Sequence, residues 1–167
     1  MKFQNSIVKN MCCFYASNFH LLVMIYTYLK KNKSTIFKTI LEENMENEIE
    51  EFALKCNLNE EEKRKLIDIN WNKSEKYDNE KFKKFMFELA SQDDEVTIIL
   101  KGEEDELRKN RKMINDWVSA YLKSGSIKLP NINVVCCIDI LKLTKSMNLI
   151  MQEYEYMLNT SGEHHIA

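Results

Sequence analysis

The chain has 167 residues, 44% of them hydrophobic and 30% charged, which suits one domain with one core. Lys and Arg number 24 against 26 Asp and Glu, a net charge of -2 that argues against nucleic-acid binding, because a phosphate-tracking surface carries an excess of basic residues. The three glycines, Gly102, Gly125 and Gly162, stand far apart, so neither a Walker A loop nor a dinucleotide fingerprint can be written, since both need clustered glycines.

The apolar, aromatic run NMCCFY at 10–15 predicts a first strand. Ser17 or Asn18 caps the helix that follows, to about Lys31, with Phe19, Leu22, Val23, Tyr26 and Leu29 as its stripe toward a sheet. A second strand is expected at Thr35–Leu41 and a second helix at Glu46–Cys56, with Ile49, Phe52, Ala53 and Cys56 inward. Residues 57–66 open with an asparagine cap and first-turn carboxylates, which suits a short helix. A brief third strand at Leu66–Trp71, a polar loop and a helix from Asp78 or Asn79 to about Gln92 come next. Glu95–Leu100 is the fourth strand. The helix at Glu103–Lys123 has acidic residues at its positive end, and Leu107, Ile114, Trp117, Val118 and Tyr121 face inward. The fifth strand is Asn133–Ile138, a last helix spans about Leu141–Leu158, and 159–167 reads as a frayed tail.

Strands alternating with helices imply an α/β fold: three layers, with a mostly parallel five-stranded sheet and helices on both faces. The whole chain, 1–167, reads as a single domain with its core at about 10–158. The longest apolar run, LLVMIYTYL at 21–29, is too short to span a bilayer, and the N-terminus MKFQNSIVKN has no apolar stretch like a signal peptide's. The expectation is a cytoplasmic protein without membrane contact, whose five cysteines stay reduced.

Four of those cysteines form two vicinal pairs, Cys12–Cys13 and Cys136–Cys137. Neighbours along a strand point to opposite faces of a sheet, so neither pair can hold one metal from an intact strand. A site needs one cysteine from each pair on the same face, and two such ligands are too few for closed zinc. Core packing is the expectation, with a redox switch as the alternative and no metal or cofactor. If the first and fifth strands are neighbours, as expected here, the four sulfurs cluster mid-sheet; a flavodoxin-like order would separate them.

The order of these pieces resembles the MEDS domain, a sensory domain named from methanogens, methylotrophs and a dichloromethane-responsive regulator. The similarity covers about residues 10–160 in short motifs. MCCFYASNFHLLVMIYTYLKK is similar to that family's first strand and helix, and KYDNEKFKKFMFELA to its entry into a later helix. VTIILKGEEDEL resembles its strand ending in Gly-Glu, here Gly102 and Glu103; in the NVVCCIDI strand, Cys137 and Asp139 hold places comparable to a V-x-C-x-Y-D pattern. The chain departs at 30–35, KKNKST, and in the last helix, QEYEYML. The resemblance implies a RecA/KaiC-type core that has lost its P-loop and serves sensing.

Ligands of open parallel sheets bind beyond the carboxyl ends of the strands. Those ends give the candidate binding residues Tyr15, Ser17, Asn18, Trp71, Tyr77, Lys101, Glu103 and Asp139. No nucleophile–base pairing or zinc motif is written, so no catalytic residue is assigned, and His20 reads as solvated. The first expectation is a non-catalytic sensory or regulatory domain that binds a small ligand or a signalling protein. The alternatives are an enzyme with an atypical site around Lys101, Glu103 and Asp139, or a structural or assembly protein. Helix packing leaves room for a homodimer.

Overall fold

The computed structural model describes residues 8–32, 36–40 (backbone only), 45–68, 80, 84, 87, 88, 91, 95–123 and 129–166. Strand β1 is Val8–Tyr15, followed by helix α1 at Asn18–Lys31 and β2 at Ile36–Ile40. Helices α2 (Glu46–Lys55) and α3 (Glu60–Ile67) precede β3 (Val96–Lys101), α4 (Glu104–Lys123) and β4 (Ile132–Asp139). A 3-10 turn at Ile140–Lys142, the short α5 at Met147–Met151, β5 at Tyr156–Asn159 and β6 at Gly162–His165 complete the order.

The six strands form one sheet in the order β2-β3-β4-β1-β5-β6. Every pairing is parallel except β5 with β6, so the sheet is mixed, with one antiparallel edge. β1, β3 and β4 read as continuous apolar runs because both faces are covered. Even-numbered residues of these strands, including Cys12, Ile98, Val134 and Cys136, pack under α4 through Leu107, Ile114 and Val118. Odd-numbered ones, including Met11, Cys13, Tyr15, Ile99 and Cys137, pack under α1, with α2 and α3 stacked beyond. The strand read from sequence at 133–138 is β4 in this count, and it pairs with β1 over its whole length, Cys12 opposite Cys136 and Cys13 opposite Cys137. All four sulfurs therefore lie mid-sheet, fully buried, two on each face.

Several expectations need correction. Among the described residues the sheet has six strands, where five were expected. The expected third strand at Leu66–Trp71 begins inside a helix: α3 runs to Ile67 and caps at Asp68, with Leu66 its one buried residue. Its start is fixed by a capping box between Asn59 and Glu62, which favours helix over strand. The rest of that stretch lies outside the described residues. So does most of the helix expected at 78–92, where Glu80, Lys84, Phe87 and Glu88 are helical.

The helix expected over 141–158 is broken. Asp139 caps the 3-10 turn through Leu141 N–H, at 2.9 Å, and Ser146 caps α5, which lasts five residues. Tyr156–Asn159 then joins the open side of β1, and the tail read as frayed folds back as β6. Ladder hydrogen bonds to β1 decide this segment, a tertiary gain that helix propensity does not register. At the hairpin turn, Asn159 Oδ1 accepts from Ser161 N–H and from its hydroxyl, at 2.9 and 2.7 Å, and His164 Nε2 lies 2.8 Å from the same hydroxyl.

The apolar stripe of α1 is rotated from its expected place. Leu21, Leu22, Met24, Ile25 and Tyr28 meet the sheet, whereas Phe19 is 41% exposed. Phe19 and Tyr26 instead meet Phe52 of α2 edge-on, at 5.3 and 6.0 Å between ring centroids. The helix has two apolar faces because the sheet lies on one side of it and α2 on the other. Cys56, expected inward, is the exposed C-cap of α2.

Candidate functional site at the carboxyl edge of the sheet

β1 and β4 are neighbours, yet the chain leaves them on opposite faces. From β1 it enters α1, which packs with Cys13 and Cys137. From β4 it passes to Ile150 and Tyr154, which pack with Cys12 and Cys136, before reaching β5 on the far side of β1. Adjacent parallel strands whose connections diverge in this way form a topological switch point, the place where open α/β sheets bind ligands beyond the carboxyl ends of their strands.

Tyr15 and Asp139 face one another across that point as register partners. Lys101, the last residue of β3, is the register partner of Cys137. It is only 9% exposed, and its ammonium lies 5.9 Å from the centre of the Tyr15 ring. Strand ends far apart in sequence thus bring one phenol and one ammonium together, with Asp139, whose Oδ1 accepts from Leu141 N–H, on the strand position next to Tyr15. Ser17 and Asn18 stand beside it at the start of α1.

The turn into α1 is two residues long, Ala16 and Ser17. Ser17 Oγ accepts from His20 N–H at 3.1 Å, and His20 Nδ1 accepts from Ala16 N–H at 3.1 Å. His20 is thus a local backbone partner rather than a solvated side chain. Two of the N–H groups that a phosphate loop would turn outward are already used by the chain itself.

Glu103 is exposed, and its carbonyl accepts from Leu107 N–H at 2.9 Å at the start of α4, the helix of the opposite face. Trp71 and Tyr77 lie outside the described residues. The neighbouring Glu104 is the more embedded carboxylate. Its Oε1 lies 3.0 Å from Arg108 and 3.7 Å from Lys145, and Thr144 donates to its Oε2 at 3.5 Å. Arg108 and Arg111 also reach Glu153, at 3.1 and 3.5 Å, and Arg111 lies 4.3 Å from the centre of the Tyr154 ring. This network ties α4 to the connection leaving β4. The Glu104–Arg108 pair is legible from its i,i+4 spacing; Glu153 is not, because only the fold brings it near.

Three of the sheet thiols, Cys12, Cys136 and Cys137, are held neutral. Burial pushes the Cys12 and Cys136 thiols up to about 12. Cys137 is raised well above its ordinary value by its hydrogen bond with Cys13 and by burial, with Lys101 acting the other way. Neutral, enclosed thiols are poor nucleophiles, since the thiolate is the reactive form. Among the described residues, no group of three His, Cys, Asp or Glu side chains is placed to hold a metal ion. Among the same residues, no helix is long and apolar enough to cross a membrane.

The connection after β4 also carries exposed apolar side chains. Ile140, Leu141, Met147 and Leu149 all lie within ten residues of one another, and Leu141 is 81% exposed. No family model, curated protein or solved structure matches the chain.

Proposed function

We propose that this chain is a non-catalytic sensory or regulatory module that binds a small ligand in the crevice between the carboxyl ends of β1 and β4. The observation that carries the reading is the switch point with Tyr15 and Asp139 in register across it and Lys101 alongside. Such a set suits a small polar ligand: Lys101 attracts an anionic group, Asp139 accepts from a donor, and Tyr15 offers a ring face and a hydroxyl. Ser17 and Asn18 form the α1 side of the crevice. The exposed Ile140 and Leu141 beside it favour output through contact with a signalling protein. The resemblance to MEDS domains supplies the sensory role and a RecA-like core without a P-loop. A cytoplasmic location, and partners other than nucleic acid or membrane, belong to the same reading.

Native and denaturing mass spectra of the purified protein test it. A mass that drops on denaturation, and whose excess is lost in Lys101→Met and Asp139→Asn, is the expected result. A bare chain in wild type, with no thermal shift across a library of small anions, would count against the small-ligand reading. Protein-contact signalling would then remain, and cross-linking through Leu141→Cys would test it.

A further inference from the structure

The two sulfur groups in the sheet differ in geometry. On the α4 face, Cys136, Cys12 and Met157 are register partners on three consecutive strands, β4, β1 and β5. Strands stand about 4.8 Å apart, so the outer sulfurs of such a row are about 10 Å from each other and cannot share one ion. Cys12 Sγ is further engaged by the Tyr156 carbonyl, at 3.7 Å.

On the α1 face the third sulfur comes from above the sheet. Cys13 and Cys137 are register partners on neighbouring strands and point to the same face. Met24 of α1 sets its Sδ 3.6 Å from Cys13 Sγ. All three side chains are buried, at most 1% exposed. Three sulfurs at about 2.3 Å from a metal in a plane stand about 4 Å apart, a spacing that the Cys13–Met24 contact already matches and that neighbouring strands, about 4.8 Å apart, bring within reach for Cys13 and Cys137. Methionine is the donor that a count of cysteines and histidines omits.

We propose that Cys13, Cys137 and Met24 form a three-sulfur site for one soft monovalent ion, Cu(I). Two thiolates and a thioether, without nitrogen or oxygen donors, select Cu(I), whereas zinc favours four ligands. Loading replaces two thiol protons by one cation, Cu⁺ + 2 RSH → Cu(SR)₂⁻ + 2 H⁺, with no change of oxidation state. The product carries one negative charge in a dry core. Lys101, the register partner of Cys137, supplies a positive charge next to it. The inference does not depend on the ligand reading above, since the sulfurs lie below the crevice rather than in it.

The test is an anaerobic titration of the full chain, in a Cys56→Ser background, with Cu(I) delivered by a coloured chelator. It is run on native protein and on protein refolded with the metal, because the site is enclosed. The expected result is one Cu(I) per chain, about two protons released, and a first shell of three sulfurs by X-ray absorption. Cys13→Ser and Cys137→Ser should each raise the apparent Kd by about a hundredfold, and Met24→Leu, which conserves volume, by about tenfold. Cys12→Ser should leave it unchanged. No uptake in either preparation overturns the proposal. So does uptake that survives Cys13→Ser and Cys137→Ser, or a shell of two sulfurs in wild type. Should a serine variant fail to fold, the wild-type absorption spectrum and Met24→Leu decide.

Discussion

On one face of the sheet three helices, α1, α2 and α3, stack in depth; next to the strands their contacts are apolar and aromatic, Phe19 and Tyr26 on Phe52 and Met24 on Cys13, and the polar pairs Tyr26–Glu62 and Lys63–Glu50 lie outside them. Among the described residues, the other face is covered by the long helix α4 together with Ile150 of the short α5, and its seal ends in charge. Arg108 and Arg111 of that helix bind Glu153, and Arg111 covers the ring of Tyr154. Both faces bury a cysteine pair completely, yet one does so by depth and the other by a polar rim. Depth resists local opening, whereas a rim of ion pairs near solvent opens with less work.

The widest contrast this predicts is in thiol labelling. Native protein should show one fast thiol, the exposed Cys56, and five in denaturant, with the four sheet thiols slower by orders of magnitude. Mass spectrometry of partly labelled protein should find Cys12 and Cys136 modified before Cys13 and Cys137. The reverse order would break the comparison, since it would make the deeper face the one that opens.

Core truncations come next in size. Phe52→Ala removes a fully buried ring that organises α1 and α2, and should cost about 3–5 kcal/mol in urea unfolding. Ile114→Ala, on the sheet-facing side of α4, should cost about 2–5 kcal/mol. A negligible effect at Ile114 would mean that α4 does not seal its face.

The polar rim is worth less. Arg111→Ala removes the contact with Tyr154 and one of two partners of Glu153, leaving Arg108 in place. The expected loss is about 1–2 kcal/mol, accompanied by faster labelling of Cys12 and Cys136 alone. Equal acceleration on both faces would show that the rim serves the whole molecule.

The smallest effect is a pH dependence on the deep side. The Tyr26 hydroxyl, with Asn59 N–H, holds the Glu62 carboxyl below its ordinary value of 4.5. A group depressed by folding stabilises the fold above its unfolded pKa and loses that stabilisation as pH falls through the folded pKa. Urea midpoints across roughly pH 3 to 6 should therefore show a shallower acid decline in Tyr26→Phe than in wild type. An unchanged slope would remove Glu62 from the contacts joining α3 to α1.

Local chemistry settled much of this in advance. Strands 10–15, 95–100 and 133–138 are legible as apolar runs, because a strand covered on both faces has no polar side to alternate with. The ends of α1 and α4 are legible from Ser17 and from the acidic first turn, because capping acts over three or four residues. The opposite placement of each vicinal cysteine pair follows from the two-residue period of a strand. The carboxyl edge was legible only as a list of strand ends. Which of those ends converge depends on strand order: Tyr15 and Asp139 meet because β4 lies against β1, while Glu103 starts a helix of the opposite face.

Tertiary structure alone decided the C-terminal region. Residues 141–158 have helix-compatible periodicity, but the open side of β1 offers Tyr156–Asn159 a ladder of hydrogen bonds, and β6 closes that strand in turn. It also decided the turn of α1 about its axis, since a helix lying between a sheet and other helices needs two apolar faces, and their relative depth is set by what packs outside. Sequence by itself determined that the apolar strand segments bury and that each vicinal cysteine pair splits between the two faces; it did not determine that Cys13 would share its face with Cys137, or that Met24 would stand over Cys13. Burial and alternation are properties of one chain segment, whereas contact between residues far apart exists only once the segments have packed.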